Sequence, residues 1–405
     1  MDKDKKVKNK IIALSGQPVT GKGTAVKGII EKLKIGGYKE ENIHVISTGE
    51  EFRNYFNSIS EFIRNFENPN KLKELSNNEY LKAISENREY RDILINTIKT
   101  LKENNIDNKS ISIEEANNLK EFNNLRKIVD TLIDTGIEAE GKRINKEARP
   151  NDIWIIDSRL AFNNIPEAFS VRLVTTPEIA GKRLFNDKNR GEEDSNYKNV
   201  EEAIEAREKR RIGEQERYKK RYGVDLEDED NYDLIIDTSY SQVQDVSDTI
   251  LTCMDRYIED KFFTKNWTSP KTLLPLQRER DTLAHGMMYT FEELIETIKE
   301  EGYDPSSDIE VVEVDGIKYI IEGHHRNFCS AYIGKTLVPY TIIAKDDESI
   351  PGFKDSARTR VEGLSENHLL GHEQFFEHNT DSRFSYEDVY PGIYRKIKEK
   401  QGIEH

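Results

Sequence analysis

The sequence predicts an α/β fold: strands and helices alternating around a parallel sheet, with a smaller α+β module after it. Three observations predict this. Short apolar runs recur along the first part of the chain, "IIALSG", "NIHVIST", "DIWIIDS", "SVRLVTT" and "YDLIIDTS", each the length of a buried strand. Charge-rich segments of helical period separate them, the order that gives parallel strands. A glycine-rich turn, "GQPVTGKGT", links the first run to the first helical segment.

In chain order, residues 11–15 read as a strand and 22–34 as a helix. "NIHVIST" leads into the helical "GEEFRNYF". Residues 57–150 are polar, with Leu, Ile and Phe at three- and four-residue steps, and form a helical insertion. That insertion either covers an active site or serves as a packing layer. The third and fourth strands precede two helical segments, "PEIAGKRLFNDK" and "NVEEAIEAREKRRIGEQERYKKRYG". The fifth strand and a closing helix, "SQVQDVSDTILTCMDRYIEDKFF", complete a first domain over 1–262. Pro270 and Pro275 mark 263–275 as a linker. Residues 276–350 form the smaller module, where the Asp315–Gly316 pair between two apolar runs signals a hairpin. Residues 351–405 read as a helical extension carrying His368, His372 and His378.

The chain has 405 residues, enough for two or three domains, and a net charge of −15. Such acidity argues against a broad grip on DNA, which needs dense Lys and Arg against phosphates, although a local basic cleft is compatible with it. Cys253 and Cys329 are too few for a disulfide framework or a thiolate metal site. No apolar run reaches the ~20 residues of a membrane span, and "MDKDKKVKNK" lacks the apolar core of a signal peptide. The expectation is a cytoplasmic protein, free or oligomeric, that does not enter a membrane.

Gly16 to Thr24 fits G-x-x-x-x-G-K-x-T. A turn built from Gly16, Thr20, Gly21 and Gly23 exposes main-chain amides to a phosphate, and the helix N-terminus adds its dipole. Lys22 reaches the β- and γ-phosphates, and the Thr24 hydroxyl stands where Mg²⁺ is held. ATP and Mg²⁺ are the implied cofactors. At the end of the third strand, Asp157, Ser158 and Arg159 fall where ligands gather in open α/β sheets. Asp157 is a candidate Mg²⁺ ligand or proton acceptor, and Arg159 a clamp for an acceptor anion.

The loop "GQPVTGKGT" resembles the G-x-P-G-x-G-K-G-T loop of the adenylate and cytidylate kinase group, with Val19 where that group has glycine. "STGEEFR" resembles the group's TGE-x-x-R segment, which implies that Arg53 faces the acceptor's phosphate. The stretch from "AREKRR" to "YDLIIDTS" resembles the cytidylate-kinase-like family closely. Its residues are Arg207, Glu208, Glu216, Arg217, Tyr218, Tyr222, Gly223, Asp225, Asp228, Tyr232, Asp233, Asp237 and Thr238. The four motifs together span about 8–262, and the resemblance implies a P-loop kinase. It also implies a helical lid whose arginines, here Arg183, Arg207 and Arg211, close over the transferring phosphoryl group. Ala180 stands near where the family often has a further arginine.

In the smaller module, "YIIEGHHRNF" resembles the (D/E)GHHR box of the ParB/sulfiredoxin fold. A strand ending in Glu322 and Gly323, with His324, His325 and Arg326 opening a helix, aims polar groups at one spot suited to an anion. Arg278, Arg280 and His285 are candidates to complete that phosphate pocket. His324 stands at the sulfiredoxin cysteine position, which disfavours that chemistry.

The leading reading is an ATP/Mg²⁺-dependent kinase transferring phosphate to a nucleotide or nucleotide-like small molecule. A second reading is a kinase acting on a hydroxylated base in DNA, or on a small hydroxyl acceptor such as free serine through the ParB-like module. A third is a non-enzymatic ATP switch whose ParB-like module binds DNA or a partner.

Overall fold

The first apolar run forms strand β1 (Lys10–Gly16), whose residues 11–16 are all buried. The computed structural model describes residues 10–65, 78–103, 120–147, 149, 151–186, 197–277, 291–364 and 389–390. The chain divides into two units. The first comprises Met1–Val26, Lys34–Ser170 and Thr176–Tyr232, and the second Lys27–Leu33, Val171–Thr175 and Asp233–His405.

In the first unit, β1 pairs in parallel with β3 (Ile153–Asp157), and β3 with β2 (Ile43–Ser47). Leu14 and Ser47 are both register partners of Asp157, so the three strands end nearly level. Nearly continuous apolar runs in β1 and β3 reflect burial on both sheet faces. The helices are α1 (Lys22–Ile35, whose residues Lys27–Leu33 are counted with the second unit), α2 (Thr48–Asn65), α3 (Glu79–Glu86), α4 (Arg88–Glu103), α5 (Lys120–Glu147), α6 (Ala161–Asn164), α7 (Pro177–Asn186) and α8 (Val200–Tyr222). Local chemistry sets their ends. Asn78 accepts the amides of Tyr80 and Leu81, and Asn199 accepts that of Glu202 at 2.8 Å. Gly223, at φ 70°, takes the left-handed position that ends α8.

The expected insertion is helical where it is described, in α2–α5. Ile59, Ile84, Leu94, Leu125, Val129 and Ile144 share one core with Ile11 and Ile156. Each such side chain contributes about 1.5–3 kcal/mol on burial, so this insertion is part of the folding core. Helices α7 and α8 pack tightly: a Cβ on Gly181 would lie 2.3 Å from Ile204 Cγ1. Ala180 is fully buried there, in surroundings with no place for an arginine.

In the second unit the strand order is β4 (Phe169–Val174), β5 (Leu234–Asp237), β6 (Asn266–Thr268), β10 (Val338–Lys345), β8 (Ile309–Val314), β9 (Ile317–Glu322) and β7 (Leu273–Pro275). The pairs β4–β5, β5–β6, β10–β8 and β9–β7 are parallel, and β6–β10 and β8–β9 antiparallel. Asp315 and Gly316 close the β8–β9 hairpin with φ of 50° and 76°, as the sequence predicts. The helices are α9 (Val243–Ile258), α10 (Phe291–Glu301), α11 (His324–Tyr332) and α12 (Ala357–Leu364).

The expected linker is corrected. Residues 266–268 and 273–275 are strands, and Trp267 is 3% exposed with its indole N–H donating to Thr264 O at 2.9 Å. Pro270 opens a short 3₁₀ turn and Pro275 ends a strand, both positions where a missing N–H does no harm. Burial of the indole holds the segment in the sheet. Helix α12 and residues 389–390 lie in the expected C-terminal extension; His368, His372 and His378 lie outside the described residues.

Candidate active site

The phosphate loop leaves β1 at Gly16 and enters α1 at Lys22. Its backbone takes positive φ at Gly16 (152°), Val19 (62°) and Gly21 (88°). A β-branched residue in that region is strained by about 1–2 kcal/mol. The loop therefore keeps a glycine-like conformation at Val19 without glycine, and neighbours hold it there. Arg183 Nη1 donates to Val19 O at 3.2 Å. The buried Thr20 hydroxyl donates to Gln17 O at 2.9 Å, so it supports the loop from within. At the start of α1, Ala25 N donates to Gly21 O at 2.8 Å. A Cβ at Gly21 or Gly23 would meet nothing within 4 Å.

Lys22 Nζ donates to Gly16 O at 2.6 Å, which lays the ammonium back across the loop. Thr24 is exposed in the first turn of α1. Beyond the loop, Asp157 ends β3. Burial raises its carboxyl above the ordinary range, while Lys22, Arg159 and Arg53 pull in the opposite direction. These cations come from α1, the turn after β3, and α2, and the level strand ends bring them to one carboxylate. Thr48 Oγ1 donates to Asp157 O at 3.1 Å and ties the start of α2 to the same place. Arg53 is exposed and lies over Gly49, whose Cβ would sit 3.7 Å from its Nη1. Ser158 supports the turn after β3. It is buried, its N–H donates to Leu14 O at 3.2 Å, and its hydroxyl accepts from Leu160 N at 3.4 Å. It builds the turn that presents Arg159.

Helix α8 carries arginines in pairs with carboxylates. Arg211 binds Glu208 (2.7 Å) and Glu227, and Gln17 of the loop donates to Glu227 at 3.5 Å. Arg183 and Arg211 thus both reach the loop, one directly and one through Glu227. Arg207 is 6% exposed, its Nη1 donating to Glu208 at 2.7 Å while its Nε has no hydrogen-bond partner. Burial lowers its pKa. Arg159 forms an ion pair with Glu214, which also accepts from Arg210 at 3.0 Å. Sequence reading places the motif glutamate at Glu216, which is exposed. The spacing E-x-x-R-Y, counted back from Arg217 and Tyr218, begins at Glu214 and is the signal that finds it.

Much of the remaining motif builds the fold. Asp225 accepts from Gln215 Nε2 and Glu227 N, Asp228 accepts from Asp230 N at 3.0 Å, and Tyr232 OH donates to Leu226 O at 2.9 Å. At its C-terminal end α8 joins α5: Tyr222 OH to Asp134, and Arg221 to Thr131 Oγ1 and to Lys127 O at 3.3 Å.

In the second unit, Gly323 precedes α11 with φ of 95°. His324 is buried and accepts from Leu276 N at 3.3 Å through Nε2; burial pushes its pKa down to about 3. At neutral pH this buried imidazole therefore carries no charge. His325 packs against Phe291, with ring centroids 5.4 Å apart. Arg326 Nη1 donates to Ser307 Oγ at 2.7 Å, and Glu322 is exposed. Arg278, Arg280 and His285 lie outside the described residues. Among the described residues, no group of three His, Cys, Asp or Glu is placed to hold a metal ion, and no helix is long and apolar enough to cross a membrane.

No family model matches the chain. A solved structure of an uncharacterized protein from Eubacterium ventriosum aligns with 60% of this chain and 97% of that one, at a TM-score of 0.31 and 12% identity. Over 110 residues the chain is 34% identical to an S-adenosylmethionine-dependent nucleotide dehydratase of Lacinutrix mariniflava, which is 27% of this chain and only 21% of that protein. Neither likeness carries the ParB/sulfiredoxin resemblance. Over 245 residues, 60% of this chain and 97% of the relative, it is 26% identical to a cytidylate kinase of Methanocella arvoryzae. The chain is thus distantly similar to a nucleotide kinase.

Proposed function

We propose that the chain is an ATP- and Mg²⁺-dependent phosphotransferase whose acceptor is a nucleoside monophosphate or a close analogue. One observation carries this reading: the charges of Lys22 of the phosphate loop, Arg159 and Arg53 all act on the half-buried Asp157 at the ends of parallel strands. The loop residues fit a phosphate tail. Gly21 and Gly23 border open space, Lys22 is at hand, and Arg183 braces the loop from its other side. ATP held there supplies the γ-phosphoryl group, with Mg²⁺ offsetting its charge. The Thr24 hydroxyl and the Asp157 carboxylate are the oxygen ligands at hand for Mg²⁺. Arg53 and Arg159 bind the acceptor's phosphate as charge-assisted donors. Arg183 and Arg211 bear on the charge that spreads over the transferring group.

The similarity to a cytidylate kinase supports the same reading and favours a pyrimidine acceptor. The test is ATP consumption by the full chain with CMP, dCMP, UMP, AMP, free serine and hydroxymethylated DNA. Turnover with a pyrimidine monophosphate is expected. Turnover confined to serine or DNA, or ATP binding without turnover on any of them, would overturn it.

A further inference from the structure

We infer that Glu214 is a positioning residue: it fixes the Arg159 guanidinium on the acceptor side and links that side to α8. The inference rests on the phosphotransferase reading above. Arg207, Arg211, Glu214 and Tyr218 recur at steps of four, three and four, and so lie along one face of α8. A carboxylate on a face of arginines is out of place if the face only meets phosphoryl oxygens, because it repels them. Here the carboxylate is neutralised. Arg159 pairs with one oxygen of Glu214 and Arg210 with the other, and the Glu214 and Arg159 side chains are only 12% and 19% exposed. The attraction outweighs burial and holds Glu214 below the ordinary carboxylate range.

Arg159 also lies within the field of Asp157, so it stands between a carboxylate of β3 and a carboxylate of α8. Glu214 engages Nη1. The guanidinium is a rigid planar fork, so fixing one nitrogen fixes the direction of the others. Those remaining donors are the ones available to an acceptor anion. Without Glu214, the charge of Asp157 still acts on Arg159 and turns it toward the Mg²⁺ side, away from the acceptor. Glu214 thereby makes acceptor affinity depend on the placement of α8, although it touches no substrate.

The test is steady-state kinetics on the full chain, with the best acceptor from the panel, for wild type, Glu214→Gln, Glu214→Asp, Arg159→Ala and the Arg159→Ala/Glu214→Gln double variant. Glu214→Gln is expected to raise the acceptor KM about tenfold, with kcat and the KM for ATP within about twofold. Glu214→Asp keeps the charge on a shorter arm and gives an intermediate KM. On the Arg159→Ala background, Glu214→Gln has no further effect, because it acts only through Arg159. An unchanged acceptor KM in Glu214→Gln, or an equal rise on both backgrounds, overturns the inference and leaves the phosphotransferase reading standing. Absence of wild-type turnover overturns that reading, and this inference with it.

Discussion

The two glycine-led turns of this chain look alike in sequence and use their polar groups differently. At Gly16–Thr24, side chains from separate elements converge: Lys22, Arg53 and Arg159 around Asp157, with Arg183 on the loop carbonyl of Val19. At Gly323–Arg326 the polar groups are committed to packing. His324 accepts the Leu276 amide, Asn327 donates to Pro270 O and Tyr390 OH, and Arg326 donates to Ser307. A strand, a glycine turn and a helix start can form an anion site when donors remain available after the fold is satisfied. At the first turn the cations come from distant segments of the chain. In the second, the box residues meet neighbours of their own unit.

Substitutions test this contrast. The largest effect is expected from Lys22→Ala, which should lower kcat for phosphate transfer at least ~10²-fold, as loss of a charge-stabilising group does. His325→Ala, measured in the same assay, should stay within about twofold of wild type. A comparable loss from both would erase the distinction. Arg53→Ala should raise the acceptor KM about tenfold while the KM for ATP holds steady; a change in the ATP term instead would move Arg53 to the donor side.

His324 gives the second unit a test of its own through acid. Its folded pKa of about 3 lies below the 6.5 of a free histidine. Between those pH values the unfolded chain takes up a proton that the folded one does not. The stabilisation is therefore complete above pH 6.5 and declines by about 1.4 kcal/mol per pH unit as pH falls toward 3. His324→Gln keeps an acceptor for the Leu276 amide and takes up no proton, so its acid-unfolding midpoint should move to lower pH. A midpoint unchanged or shifted upward would mean that His324 is not held neutral. The smallest effect concerns Val19, where glycine removes about 1 kcal/mol of left-handed strain, partly offset by its greater freedom when unfolded. Val19→Gly should raise Tm by about 2 °C; a fall would show that contacts of the valine side chain outweigh the strain.

The signals that point to the first candidate site are local in the sequence. Gly16, Lys22 and Thr24 stand between an apolar run and a helix, and Asp157 and Arg159 stand at a strand end. Glu214 lies in a run of charges two residues from Glu216, and the E-x-x-R-Y spacing is its one local mark; its ion pair with Arg159, 55 positions away in the chain, is a tertiary fact. The misread linker has a similar cause. Pro270 and Pro275 are local breakers, whereas the burial of Trp267 is a tertiary fact that no window of neighbours contains. Ser158 shows a further structural detail: its hydroxyl, at a strand end where one suits a ligand, also accepts the Leu160 amide.

The central claim is that the Gly16–Thr24 turn, and not the Gly323–Arg326 turn, holds the nucleotide's phosphates. Amide hydrogen exchange on the full chain, with and without a non-hydrolysable ATP analogue and Mg²⁺, tests it most directly. Slowed exchange is expected across residues 16–24, abolished by Lys22→Ala, with residues 322–327 unchanged. Protection confined to 322–327, with the first turn exchanging as in the free protein, would contradict it.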